Sequence, residues 1–253
     1  MAIDLYIVAA GIGSRMGPNS CPKALMDVGD KTNLQNTLEK AEGLFQNVYV
    51  VANEFLRTEW QSACKKLPSN LQPELLFISS GLGDGHATLS GLNAYKKNQT
   101  NSKNSIIVWG DVYIPSRESF IELLSNRSPV DAGLVPVVYK RDPYVCLETE
   151  PGSGVITGAK FTKLGEHVET GAHDQSIFFF KTDSLQKSLT NLHNCLWRNN
   201  SYMTVNGELS LLFVFHEMFN SRHNGIRVFE TKFPTVGFNT VEELEQIRNM
   251  NHV

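Results

Sequence analysis

The chain is 253 residues long, 41% hydrophobic and 19% charged, with a formal net charge of −3. That length allows one large α/β domain or two small ones around a substantial core, and the slightly acidic balance gives no electrostatic case for nucleic acid or an anionic membrane as partner. Four scattered cysteines, Cys21, Cys64, Cys146 and Cys195, form no C-x-x-C pair, Asp4 stands where a signal peptide needs basic residues, and no apolar run approaches about 18 residues, so the expectation is a cytoplasmic protein with reduced thiols.

In chain order, short β-rich runs at 5–9, 48–52, 75–78, 106–109 and 134–139 read as strands. Between them Leu34, Leu38, Ala41 and Phe45 recur at helical spacing, as do Leu56, Trp60, Ala63 and Leu67, and each stripe marks a face packed on a core. The alternation predicts an α/β fold with a Rossmann-like, mostly parallel sheet covered by helices on both faces. The polar segment 96–105 reads as a surface loop. After Tyr139 the pattern loosens, and Pro143, Pro151 and the glycines at 152, 154 and 158 punctuate hairpin strands, one of them over 155–163. The run 177–180 reads as a buried strand and 209–219 as a helix, while Gly237-Phe238-Asn239-Thr240 reads as a turn and N-cap into a last helix over 241–250. No internal repeat or interdomain linker interrupts the chain, so 1–253 is read as a single domain.

The stretch from Val8 to Lys23 carries the chemistry. An apolar strand runs into Gly11 and Gly13, then Ser14 and Arg15, and eight residues after the arginine comes Lys23, preceded by Pro22. Glycines let backbone N–H groups approach an anion, and the two cations suit a polyphosphate. An ordinary βα turn with two surface cations is the plain alternative. Gly11, Gly13 and Gly17 are spaced one residue too long for the dinucleotide fingerprint, which counts against an oxidoreductase, and the Gly-Lys-Ser/Thr of the P-loop is absent. What does fit is G-x-G-[ST]-R-M followed by Pro-Lys. In this the chain resembles the nucleotidyltransferases that make nucleotide sugars and related compounds, and within them the uridylyltransferase domain of the bacterial N-acetylglucosamine-1-phosphate enzymes.

The resemblance implies that Ala9, Ala10, Gly11, Gly13, Ser14, Arg15 and Lys23 bind a nucleoside triphosphate, with Arg15 and Lys23 catalytic. Further segments match in the same chain order. Gly81 to Ala87 resembles the loop that holds the base, with Gly83 and Asp84 as contacts, although a Gly-rich helix entry is the bland reading; His86 reads as a packing or capping residue rather than an acid or base, and Cys21 as a bystander. Gly110-Asp111 ends a buried strand at the sheet edge where ligands of open α/β sheets collect, and Asp111 with Asn239 would hold Mg²⁺. Asn239 also reads as a helix N-cap, and both roles can coexist. The segment from Thr157 to Lys163 resembles the acceptor-side strand, with Lys163 on the acceptor phosphate. Residues 1–139 are thus expected mainly to bind the NTP, and 140–253 to bind the acceptor and complete the metal site.

Three departures bear on substrate. Phe161 stands where a sugar-binding glutamate is expected, Ile78 where a glutamine precedes the base loop, and Asp174-Gln175-Ser176 begins the next strand where sugar enzymes often have Asn-x-Gly. Asp174 is therefore an acceptor-binding candidate of altered type. The implied reaction is attack by an acceptor phosphate oxygen on the α-phosphorus of an NTP with release of pyrophosphate. The expected acceptor is a sugar 1-phosphate, giving an NDP-sugar for a polysaccharide, glycolipid or wall component. One alternative is a CTP-dependent cytidylyltransferase acting on phosphocholine or another small phosphate or phosphonate, for which Phe161, Glu169 and Asp174 would suit a cationic acceptor. Another is a non-catalytic nucleotide-binding module. The resemblance runs over the uridylyltransferase half of the bifunctional enzymes, so no acetyltransferase activity is expected. Trp197, Tyr202 and Phe213 read as core, with an acceptor pocket or subunit contact as the other possibility.

Overall fold

A computed structural model describes residues 2–11, 21–79, 82–96, 102–162, 165–221 and 225–250. Gly13, Ser14, Arg15 and Lys163 lie outside these. In chain order the elements are β1 (Ile3–Ala9), α1 (Asn33–Ala41), β2 (Asn47–Asn53), α2 (Arg57–Lys65), β3 (Glu74–Ile78), α3 (Asp84–Lys96), β4 (Asn104–Trp109), β5 (Val112–Tyr113), α4 (Glu118–Ser125), β6 (Gly133–Arg141), β7 (Val145–Thr149), β8 (Ile156–Phe161), β9 (Thr170–Asp174), β10 (Ile177–Lys181), α5 (Thr182–Leu196), β11 (Trp197–Arg198), β12 (Ser201–Tyr202), α6 (Phe213–Asn220), β13 (Ile226–Glu230), β14 (Val236–Gly237) and α7 (Val241–Met250). No helix among the described residues is long and apolar enough to cross a membrane.

The central sheet is ordered β3-β2-β1-β4-β10-β6, with β13 on the far edge of β6. β3, β2, β1 and β4 pair in parallel, β6 and β13 do the same, and β10 alone runs against its neighbours in this part of the described sheet. The expected mostly parallel sheet is therefore present. Residue alternation sorts its side chains onto two faces. Tyr6, Tyr49, Val51, Ile107, Phe178 and Phe180 pack beneath α3, α5 and α6. Leu5, Ile7, Val50, Ile106, Val108 and Phe179 pack beneath α1, α2 and α4.

The β-rich extension hangs from the C-terminal half of β6, which pairs with β9, followed by β7 and β8 in antiparallel order. β9 and β10 form one antiparallel run along β6 that is broken in the middle: the register passes from Val137↔Asp174 to Leu134↔Phe179, a slip of two residues taken up by Gln175 and Ser176. Ser176 has φ 56° there. Asp174 thus closes β9, and the next strand starts only at Ile177, a correction to the reading of 174–176 as a strand start. The same comparison shortens two helices. α1 ends at Ala41, leaving Phe45 to pack edge-on against Phe120 from the connection to β2. α6 begins at Phe213 after a turn at 211–212, while Leu209 bonds to Leu82 and Gly85 at the entry of α3.

Candidate active site

β1 and β4 lie side by side with Val8 opposite Trp109, so their C-terminal ends deliver Ala9-Ala10-Gly11 and Gly110-Asp111 to one place. The Gly110 N–H donates to the Val8 carbonyl at 2.9 Å. A Cβ on Gly110 would sit 2.7 Å from the Cβ of Ala9 and 3.3 Å from that of Ala24, so only glycine lets the turn lie this close to β1. Gly110→Ala is accordingly expected to cost about 1–3 kcal/mol through overpacking, read by urea denaturation.

Lys23 opens a short 3₁₀ turn after Pro22, closed by Leu25 N–H to the Pro22 carbonyl at 2.7 Å. Its Nζ donates to Asp111 Oδ2 at 2.9 Å and to Asn239 Oδ1 at 2.8 Å. Asn239 arrives by way of β14, which pairs antiparallel with β5 directly after Asp111, and the Phe238 N–H donates to the Asp111 carbonyl at 3.0 Å. Phe238, Leu244 and Ile247 then bury against Val28 and Tyr113, anchoring α7. The N-cap of α7 is Thr240, not Asn239: the Glu243 N–H donates to Thr240 Oγ1, and Glu243 Oε2 accepts from the backbone N–H groups of Thr240 and Asn239. This capping box leaves the Asn239 carboxamide free to face the site.

The lysine side chain is 11% exposed and that of Asp111 33%. One anionic and one neutral oxygen, from different elements, therefore converge on a single cationic atom. Hard oxygen donors of this kind suit Mg²⁺, which takes one or two protein ligands and leaves the rest to water and substrate phosphates. The described residues contain no cluster of three or more His, Cys, Asp or Glu able to hold a metal.

A contributor that the sequence reading lacks lies behind this pair. Asn33, in the first turn of α1, is 1% exposed, and its Nδ2 donates to the carbonyls of Gly110 at 3.1 Å and Val112 at 2.9 Å. One turn on, Asn36 Nδ2 donates to the Ile114 carbonyl at 2.9 Å. Two asparagines three apart on the buried stripe of Leu34, Leu38 and Ala41 are the only signal the sequence offers for them.

The loop expected to hold the base is shaped first by a protein partner. Gly83 has φ 91°, a region that favours glycine, and a Cβ there would collide with the backbone of Leu209; one on Gly85 would lie 2.8 Å from the Ser210 carbonyl carbon. Leu209 N–H donates to Leu82 O and Gly85 N–H to Leu209 O, both at 2.9 Å, and Asp84 Oδ1 accepts from the Leu211 N–H. Just beyond, His86 Nδ1 meets Tyr202 Oη at 2.7 Å, and His193 Nδ1 meets the same oxygen at 2.8 Å, with Trp197 packed edge-on to Tyr202. A hydroxyl can donate to one ring and accept from the other. Burial pushes the Tyr202 phenol up to about 12, so it stays neutral. His86, Trp197 and Tyr202 are packing residues, as the plainer reading has it.

Burial, helped by the proximity of His193, lowers the pKa of His86 from its ordinary 6.5. A depressed folded-state value means the neutral ring is favoured in the fold, so its stabilising contribution is complete above about pH 6.5 and is lost as pH falls through the folded pKa. The denaturation midpoint should therefore decline on acidification below about pH 6.5, and His86→Gln should flatten that decline relative to the parent protein.

On the acceptor side Phe161 is 8% exposed and packs edge-on against the half-buried Phe213 with ring centroids 6.0 Å apart, so Phe161 is a core residue that offers no open face to a cationic acceptor. Asp174 is buried; its Oδ1 accepts from the Ser176 N–H at 2.9 Å, and burial pushes its carboxyl up, with His173 and Lys140 opposing. It shapes the break between β9 and β10 rather than presenting a carboxylate. Lys140, which the sequence reading does not single out, has an ammonium lowered by partial burial against the pull of Asp174 and Glu243. Cys21 is exposed, and partial covering of its sulfur, with Asp27 nearby, pushes its thiol up and away from a reactive thiolate, as expected of a bystander.

Residues 5–190 match the MobA-like NTP transferase domain. The chain belongs to the MobA-like NTP transferase family. Within curated proteins it is 28% identical over 169 residues to the bifunctional protein GlmU of Francisella tularensis subsp. novicida, a stretch that makes up 67% of this chain and 33% of that protein. Among solved structures it resembles a putative glucose-1-phosphate thymidylyltransferase from Bacillus anthracis, with a TM-score of 0.73 at 13% identity over 98% of this chain and 95% of the other. It also resembles the CTP:phosphocholine cytidylyltransferase LicC of Streptococcus pneumoniae, with a TM-score of 0.71 at 13% identity over 99% and 100% of the two chains. Such likeness fixes the nucleotidyltransferase fold for this MobA-like protein, while function resides in the site.

Proposed function

We propose that this NTP transferase passes a nucleoside monophosphate from an NTP to a phosphate oxygen of a small acceptor, with a sugar 1-phosphate as the acceptor class, and releases pyrophosphate. The observation that carries the reading is the convergence of Lys23, Asp111 and Asn239 at the C-terminal edge of the parallel strands. Two anionic reactants must be brought in line and the charge on the transferring group neutralised, and fixed cations do this without a covalent intermediate. In this reading Ala9, Ala10, Gly11, Gly13, Ser14 and Gly110 form the phosphate cradle, Arg15 and Lys23 supply positive charge, and Gly83 and Asp84 border the base. Lys163 takes the acceptor phosphate. Asp111 and Asn239 would hold Mg²⁺, which when bound supplies Lewis-acid neutralisation of the phosphate oxygens.

The test is pyrophosphate release from UTP, CTP, GTP, ATP and dTTP against hexose 1-phosphates, phosphocholine and aminoalkyl phosphonates, with and without EDTA. Metal-dependent release with one NTP and a sugar phosphate is the expected result. Release with CTP and phosphocholine alone would replace the acceptor class, and silence from a protein that binds NTP would replace catalysis by a binding role.

A further inference from the structure

We infer that Asn33 is a positioning residue for the metal-binding turn. The inference rests on the metal-dependent reading above. Asp111 sits between Gly110 and Val112, and the carbonyls of both accept from one carboxamide, Asn33 Nδ2, at 3.1 and 2.9 Å. Asn33 is 1% exposed and sits on a helix fixed in the core by Leu34 and Leu38. Asn33 Oδ1 is buried with no hydrogen-bond partner among the described residues. An unpaired buried acceptor is a cost that leucine would not carry at the same place. What the asparagine gives in return is two donors at fixed spacing, which set the direction of the backbone on either side of Asp111 and hence of its carboxylate. Groups that orient a metal ligand without touching the metal typically change metal affinity about 10–100-fold when removed.

Asn36 supplies an internal control. It is buried on the same helix face and also donates to a backbone carbonyl, that of Ile114, but not to either carbonyl beside Asp111. The experiment is Mn²⁺ titration of the full-length protein, with free Mn²⁺ followed by electron paramagnetic resonance, for the parent, Asn33→Leu and Asn36→Leu, alongside thermal midpoints. Both variants should lower the midpoint. Only Asn33→Leu should weaken Mn²⁺ binding, by at least about tenfold, with Asn36→Leu retaining the parent's affinity. Asn33→Ser, whose short hydroxyl cannot serve both carbonyls, gives the same readout if the leucine variant does not fold. Unchanged affinity in the Asn33 variants, or an equal loss in Asn36→Leu, overturns the inference. Where the parent's ammonium on Asp111 and Asn239 keeps Mn²⁺ out, the comparison is made in a Lys23→Met background; failure of that protein too to bind Mn²⁺ overturns the metal-dependent reading, and this inference with it.

Discussion

Lys23→Met is expected to lower turnover by roughly 10²–10³-fold, the range seen when a fixed donor facing developing charge is removed, while the protein stays folded. Methionine keeps the apolar stem that an 11% exposed side chain packs with its neighbours, so what is lost is the ammonium. Its removal leaves Asp111 without its ionic partner, yet a carboxylate one-third open to water is solvated, and the stability change should stay within about 1–2 kcal/mol. The same substitution should act in the opposite sense on metal binding. Lys23 Nζ bonds Asp111 Oδ2 and Asn239 Oδ1, oxygens of the two residues that would hold Mg²⁺, so the ammonium and a divalent ion would compete for the pair and repel one another. Mn²⁺ titration without nucleotide should therefore show tighter binding in Lys23→Met than in the parent. Parent-like turnover in a folded variant would remove Lys23 from the catalytic set.

Asp111→Asn should raise the Mg²⁺ concentration for half-maximal pyrophosphate release by about 10–100-fold and cut turnover at limiting metal. Mg²⁺ favours anionic oxygen, and the substitution removes the one formal charge in the pair. The fold should tolerate it, because a carboxamide oxygen can still accept from Lys23 and because the Phe238 N–H bonds the backbone carbonyl of residue 111 rather than its side chain. A Mg²⁺ activation curve measured alongside a urea melt separates the two effects. An unchanged curve would sink the assignment of Asp111 to the metal.

Much of this architecture is legible in the residues because local pattern and tertiary role agree. Val50 and Ala52, or Ile106 and Val108, are buried on one sheet face within strands that their β-rich runs predict. Asp111 is legible because a carboxylate stands at a strand end where an α/β fold collects ligands, whereas Lys23 and Asn239 are legible through the Pro-Lys and Gly-x-Asn motifs of the nucleotidyltransferases that the chain resembles. α5 was within reach, since Leu185, Leu189, Leu192 and Leu196 recur at helical spacing. Other features depend on partners far along the chain. Nothing near Asp174 marks it as the last residue of β9, because the break is a register slip against β6. Gly83 and Gly85 look like ligand glycines until Leu209 and Ser210 occupy the space beside them. Asn33 reads as an ordinary first-turn residue until β4 and β5 bring two carbonyls to it.

The Lys23 contacts also place the site late in folding. Its partners are 88 and 216 residues away in the chain, and loops of that size close only after nearer contacts have offset part of their entropy. Helices form from local contacts and the β1–β2–β3 core from pairings such as Leu5 with Val48 and Val50 with Leu75, whereas the cation cannot meet both oxygens until β14 has joined β5. Recovery of pyrophosphate release during refolding should thus lag behind the spectroscopic recovery of secondary structure, because it reports completion of the whole topology.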